Sequence, residues 1–351
     1  MDPTVVVERI SEWVICLCRN DFFKEMVVGR NVALKCAAAV TICLGIFVTF
    51  GVSGAEEKLP QKYTETVADK DGNRFGFEMV LIPGGKFQMG SPENEAGRKA
   101  DEGPQHEVTL SPFYLCTTET TLELFLAYYE ERVTPRRIEE SSNEDVDAMT
   151  GPTPVYGDIT MGCSKKNPAM GATWLNAMTF CSWLSKKTGK KYRLSTEAEW
   201  EYACRGGTTN IFGFGNDPNQ LNDFAWYKDN TDAKPNEAAK KKPNAWGLYD
   251  MLGNVSEWVY DFYSPTAYKE AVEKNQTTNP LGPSDGKIHV ARGGAYDSSA
   301  KELRCAARAY EEDWWRMNDP QMPKSKWWLP QMDFIGFRVA RSIEPEEPKS
   351  R

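Results

Sequence analysis

The first strong pattern along the chain is an apolar run over residues 36–55, CAAAVTICLGIFVTFGVSGA, with Arg30 and Lys35 ahead of it and Glu56, Glu57 and Lys58 directly behind. A basic flank, an apolar stretch and small residues at Ser53-Gly54-Ala55 form the layout that an export machinery and its peptidase read. The run predicts a cleaved signal, with the mature chain starting at Glu56 and the true start at Met26, so that residues 1–55 are an N-terminal extension and signal. Left uncleaved, about 20 apolar residues can just cross a bilayer, which makes a single-pass anchor the alternative.

Residues 56–75 are charged and lack periodicity, which predicts a linker. Residues 79–82 are apolar, Pro83-Gly84-Gly85 is a turn signal, and the pattern resumes over 86–89, so a hairpin is expected. His106–Leu110 and Phe113–Cys116 read as two more short strands, separated from the hairpin by a polar, acidic loop over 90–105. Leu122, Phe125, Leu126 and Tyr129 recur at three- and four-residue spacing, marking a helix capped by Thr120 or Thr121. From Thr173, the residues Trp174, Ala177, Met178, Cys181 and Leu184 share one face of a second helix, which Gly189 ends. Thr196-Glu197-Ala198-Glu199 has the reciprocal pattern of a capping box, and Gly206-Gly207 closes that third helix. Beyond Gly207 regular signals thin out, leaving strand candidates at 288–291 and 337–340. No repeat and no second linker divides residues 76–343, so one α+β domain with much irregular structure is expected, followed by a charged tail over 344–351.

Composition changes this picture in two ways. The 351 residues carry a formal charge of −8, with a pI near 5.2 and a mean hydropathy of −0.55. No dense basic stripe is present, which argues against nucleic acid as a partner, because phosphate binding needs a cationic face. Of nine cysteines, Cys16, Cys18, Cys36 and Cys43 lie in or before the signal. The remaining Cys116, Cys163, Cys181, Cys204 and Cys305 are an odd set in an oxidising compartment, so at least one stays unpaired or pairs between molecules.

Six segments, GGKFQMGSPENE, DEGPQHEVTLSPFYL, YRLSTEAEWEYACRGGT, PNAWGLYDMLGNVSEW, ARGGAYDSS…RCAAR and GFRVAR, occur in the order of the blocks of formylglycine-generating enzymes. Over roughly residues 77–342 the chain resembles this sulfatase-modifying factor family, in its bacterial form. The resemblance implies a C-type-lectin-like α+β fold, calcium in its loops and a surface cleft. Active members oxidise a cysteine of a sulfatase motif to formylglycine with oxygen and with copper held by two cysteines. Cu(I) prefers soft thiolates. Here the corresponding stretch runs Gly293-Gly294-Ala295-Tyr296-Asp297-Ser298-Ser299 and reaches Arg304 without a cysteine. The family's serine by the oxygen site is Ala295, and Asp297, Ser298 and Ser299 offer oxygen only. No catalytic residue is therefore assigned, and copper is not expected.

The same resemblance pairs Cys204 with Cys305 in a disulfide, a closure over roughly a hundred residues worth on the order of 4 kcal/mol; two small buried thiols are the alternative. Cys181 matches another family disulfide position whose partner's place is Val339, leaving it a buried free thiol. Asp250, Gly253, Val255 and Glu257 match the ligand positions of the family's second calcium loop, and two carboxylates with backbone carbonyls suit a hard cation; a solvated acidic turn is the alternative. The first calcium loop has no clean counterpart near residues 225–234. Trp314, Trp315, Trp327 and Trp328 flank a Pro-rich insertion, where they either line a cleft with Ala295 and Tyr296 or pin the loop to the core. His106 and His289 match separate strand positions, which supports neither a histidine metal site nor a Ser/His triad. The expectation is an exported, periplasmic or extracellular, non-catalytic or re-purposed module for a peptide, protein or glycan ligand, a sulfatase among the partners considered; a formylglycine-generating oxidase is the alternative, and the membrane enters only through an uncleaved anchor.

Overall fold

Seven residues inside the expected linker, Lys62–Ala68, form a strand, β1. Its inward positions are Glu65 and Val67, and a carboxylate standing where an apolar side chain would mark the alternation hid the strand in the sequence. Glu65 is tolerated there because Lys190 Nζ and Tyr192 Oη each donate to Oε2 at 2.6 Å. This computed structural model describes residues 59–133, 163–319, 322–329 and 332–343. The expected signal and charged tail lie outside the described residues. By its contacts the chain divides into Met1–Lys58 and Leu59–Arg351, and everything that follows concerns the second unit.

The hairpin expected from residues 79–82 and 86–89 is a corner between sheets. Arg74–Ile82 (β2) pairs with β1 and with Phe113–Cys116 (β5), whereas Gly85–Met89 (β3) pairs with His106–Leu110 (β4), all antiparallel. Gly84 makes the corner possible: a Cβ there would lie 2.9 Å from Pro112 Cδ and 3.0 Å from the Leu110 carbonyl. Tyr192–Leu194 (β6) and Val339–Ser342 (β11) complete a five-stranded sheet in the order β1-β2-β5-β11-β6. Ser256–Phe262 (β7), His289–Arg292 (β8), Arg308–Tyr310 (β9) and Ile335–Phe337 (β10) form a second sheet in the order β10-β7-β8-β9, with β10 parallel to β7. The single strand expected over 337–340 thus divides at Arg338, one half in each sheet.

The three expected helices are present as Leu122–Val133 (α1), Trp174–Thr188 (α2) and Glu197–Arg205 (α3). Thr173 accepts from the Asn176 amide, and Gly189 adopts the left-handed φ of 71° that ends α2. Thr196 and Glu199 form the capping box, with Gly206 at φ 57°. Two shorter helices follow, Leu221–Phe224 (α4) and Ala267–Glu273 (α5). Phe125, Phe180, Trp258, Trp328 and Phe337 fill one core between α1, α2 and the sheets. Trp200, Leu115, Val259 and Val290 fill another around α3. Because α3 is buried on every side, its charges need internal partners: Glu201 bonds Arg205 and Arg292, and Glu197 bonds Arg308.

Candidate functional site: a cleft joined to a carboxylate-rich loop

The loop after β8 that the sequence singled out is held by the backbone of the loop leading into β7. Gly253 N–H donates to the Gly293 carbonyl at 2.9 Å, and Tyr296 N–H donates to the Asn254 carbonyl at 2.8 Å. Residues 250–257 and 293–299 are therefore tied to one another by two backbone bonds. Gly293 (φ 97°) and Gly294 (φ 68°) bend this loop, and a Cβ on Gly294 would stand 2.7 Å from Leu303.

Between residues 293–299 and the aromatic segment 314–315 lies a cleft of 460 Å³ that also reaches Phe334, Arg304 and Arg308, with exposed Lys99 and Lys301 beside it. Ala295 is buried in its wall, whereas Tyr296 is buried without lining it. The oxygen side chains that stand where the resemblance places copper ligands have structural duties. Ser298 Oγ accepts from the Ala295 amide at 2.9 Å while its own N–H returns to the Ala295 carbonyl at 3.0 Å, closing a turn. Ser299 donates Oγ and N–H to Glu302 Oε2, both at 2.8 Å, capping the next turn. Asp297 is exposed, as is Ser299, and burial of its carboxyl end raises its pKa above the usual value. Tyr296 is hydrogen-bonded to Asp333, and burial raises its phenol above the usual range. Among the described residues that line this surface there is no cysteine or histidine.

Beneath it lie three buried carboxylates, Glu119, Asp250 and Glu257, around one guanidinium, Arg338. Both oxygens of Glu257 are engaged by Arg338, and Oε2 also accepts from Trp200 Nε1 at 2.8 Å. Asp250 accepts from the Ala239 amide through Oδ2 at 2.7 Å, but Oδ1 is buried without a partner, as is Glu119 Oε2. Burial, followed by the Asp250 charge, pushes Glu119 well above the carboxylate range. Burial likewise lifts Asp250 to about 6. Asp250, Gly253 and Asn254 all have positive φ, between 53° and 79°, so the loop is bent tightly around these orphaned oxygens. The unpartnered Asp250 and Glu119 oxygens are what a hard cation would satisfy, while both Glu257 oxygens are already taken up by Arg338 and Trp200. Sequence reasoning missed Glu119, which lies in a polar Thr117–Thr120 stretch that shows no spacing relation to residues 250–257. Among the described residues, one group of three acidic side chains lies within 4.8 Å, Asp69, Asp71 and Glu130, and it is elsewhere and largely solvated.

Cys204 and Cys305 are brought together, both buried, as thiols with Sγ atoms 2.9 Å apart. Cys181 is a buried free thiol pushed up to about 12 by burial. Of the four tryptophans, Trp327 and Trp328 do not line the cleft. Trp328 packs on Phe125 at 5.8 Å, and the Trp327 carbonyl accepts from Thr173 and Asn176 at the start of α2. These two pin the insertion to the core. Trp315 is buried against Trp258 and Phe334 with its edge at the cleft, while Trp314 remains 45% exposed. His106 bonds the Pro104 carbonyl, and His289 is stacked on Trp174 and Phe262, well apart in the fold.

A family model described as the sulfatase-modifying factor enzyme 1-like domain matches residues 64–343. The serine/threonine-protein kinase pkn1 of Chlamydia caviae is 34% identical over 283 residues, covering 76% of this chain and 38% of that protein. This chain thus spans well under half the length of that relative. The formylglycine-generating enzyme of Mus musculus is 30% identical over 309 residues, covering 76% of each chain. The solved structure of PvdO from Pseudomonas aeruginosa superposes with a TM-score of 0.60 at 28% identity, covering 82% of this chain and 100% of that one.

Proposed function

The chain belongs to the sulfatase-modifying factor enzyme 1-like domain family, and from that premise we propose that it is an exported, non-catalytic binding domain that receives an extended peptide segment of a partner protein in the cleft between Ala295 and Trp314. The observation that carries this reading is the use made of Ser298 and Ser299. Where the family's chemistry needs two thiolates, these hydroxyls close a turn and cap the next one, so neither a soft metal nor a nucleophile has a place there. What remains is a binding surface: an exposed indole, a buried aromatic wall and lysines at the edge, features that anchor a peptide.

In this reading calcium is resident and structural. The unpartnered oxygens of Asp250 and Glu119 with the Gly253 and Val255 carbonyls would hold it, Glu257 staying with Arg338, and the ion would supply positive charge beside the loop that Gly253 ties to Gly293. In an oxidising compartment Cys204 and Cys305 would be joined as a disulfide, which mass measurement after alkylation without reduction checks. Export rests on the apolar run at 36–55; among the described residues no helix is long and apolar enough to cross a membrane.

The test is equilibrium binding of a fluorescent peptide bearing the Cys-x-Pro-x-Arg sulfatase motif. The expected result is saturable binding that Trp314→Ala weakens at least about tenfold while the peptide cysteine stays unmodified. Conversion of that cysteine to an aldehyde would favour the oxidase reading instead, and binding indifferent to Trp314 would remove the cleft from the account.

A further inference from the structure

On another part of the unit, α5 and the chain after it bound a groove of 790 Å³ whose floor is aromatic. Trp174, His289 and Phe262 form a continuous stack: the Trp174 and His289 rings lie 3.7 Å apart and 4° from parallel, and Phe262 follows at 4.4 Å. Trp174 is held in register by its Nε1–H, which donates to the Val259 carbonyl at 2.8 Å. Tyr260 projects beside the stack, 39% exposed, and Leu281, 61% exposed, stands across from it. Such a floor is rigid before any ligand arrives, so little ordering cost remains on binding.

The opposite wall is polar but uncharged in sum. Glu270 and Lys274 cancel each other at 2.7 Å. The loop 275–284 is fixed by its backbone, with Thr109 N–H donating to the Thr277 carbonyl and Asn279 N–H donating to the Thr109 carbonyl. Gly282, at φ 70°, lets it press on Asp261. Asn279 spends its amide on Ser111, whereas no side-chain bond to Asn275 or Gln276 occurs among the described residues. These two amides, each both donor and acceptor, face an aromatic floor across a groove without net charge. A second hollow of 450 Å³ shares Tyr260, Asn279 and Leu281 with the first, so the surface continues past a single small-ligand site, and each part lies in the ~300–1,000 Å³ range of ligand pockets.

We infer that this groove is a binding site for a neutral oligosaccharide, several sugar residues long. Apolar ring faces of the sugars would lie on Trp174 and Tyr260, and vicinal hydroxyls would pair with the amides of Asn275 and Gln276. An acidic or basic ligand is disfavoured by the cancelled charges, and a purely apolar one would leave both amides unpaired. The site is separate from the cleft at Ala295 and stands whether or not that cleft binds peptide.

The experiment is isothermal titration of the full chain with cello-, xylo-, manno-, malto- and chito-oligosaccharides from disaccharide to hexasaccharide, and with a decaproline peptide. The expected result is that one sugar series binds with a Kd below about 1 mM and tightens with length as the second hollow is reached. Tyr260→Ala and Gln276→Ala, both surface changes, should each weaken that binding at least about tenfold with an unchanged melting temperature. Trp314→Ala should leave it unaltered. The inference is overturned if no series binds, if both variants bind like the parent protein, or if decaproline binds more tightly than every sugar.

Discussion

Arg338 grips Glu257 in two parallel bonds, Nη2 to Oε1 at 2.6 Å and Nε to Oε2 at 2.7 Å, with both side chains enclosed. The guanidinium comes from the single residue between β10 and β11, so the pair sits where the chain passes from one sheet to the other. It also donates to the Cys116 and Tyr249 carbonyls, tying the five-stranded sheet to the carboxylate-rich loop.

Removing Arg338 therefore strands three carboxylates without their guanidinium. Arg338→Met is expected to lose about 3–5 kcal/mol of stability, the range for breaking a buried pair. Glu257→Gln should lose less, because an amide oxygen still accepts from the guanidinium. Urea unfolding at constant m-value measures both, and an Arg338→Met loss under about 1 kcal/mol would contradict the role given to the pair.

His289 makes stability depend on mild acid. Burial depresses its ring from 6.5 to about 4, and Nδ1 is enclosed without a partner, so the folded protein keeps it neutral. The unfolded chain binds the extra proton between those two values, so the contribution is complete above about 6.5 and fades as pH falls toward about 4. Allowing for partial solvent screening, roughly 1–2 kcal/mol should be lost across that window. His289→Phe preserves the stack and should flatten this part of the profile relative to the parent. Parallel pH profiles for the two proteins would contradict the assignment.

Calcium should stabilise the protein through Asp250. A ligand at about 100 times its Kd adds about 2.7 kcal/mol to stability, so chelation should lower the melting temperature by several degrees. Asp250→Asn should abolish the response. A melting temperature indifferent to chelator in the parent protein would contradict a resident cation.

Elements with local punctuation were readable from sequence: Thr173 and Gly189 bound α2, and Thr196 with Glu199 opens α3 as their side-chain chemistry requires. β1 was not readable, because Glu65 occupies an inward position that only the distant Lys190 and Tyr192 make tolerable. Nor was the sheet change at Arg338, whose partner Glu257 lies 81 residues away. Ala295 lines the cleft, whereas Tyr296 is buried outside its lining, and Asp250 and Glu257 both contact Arg338. Trp327 and Trp328 were separated from Trp314 only by packing, since all four have the same local setting. Glu119 and the aromatic groove depend on contacts between remote segments, for which spacing along the chain leaves no trace.

The central claim is that this cleft binds without oxidising. The most direct measurement titrates the purified mature protein with Cu(I), then incubates it with oxygen, reductant and a Cys-x-Pro-x-Arg peptide, following metal content and peptide mass. The account predicts no tightly held copper and an unchanged cysteine. Stoichiometric copper that survives dialysis, or the mass loss of cysteine becoming formylglycine, would contradict it.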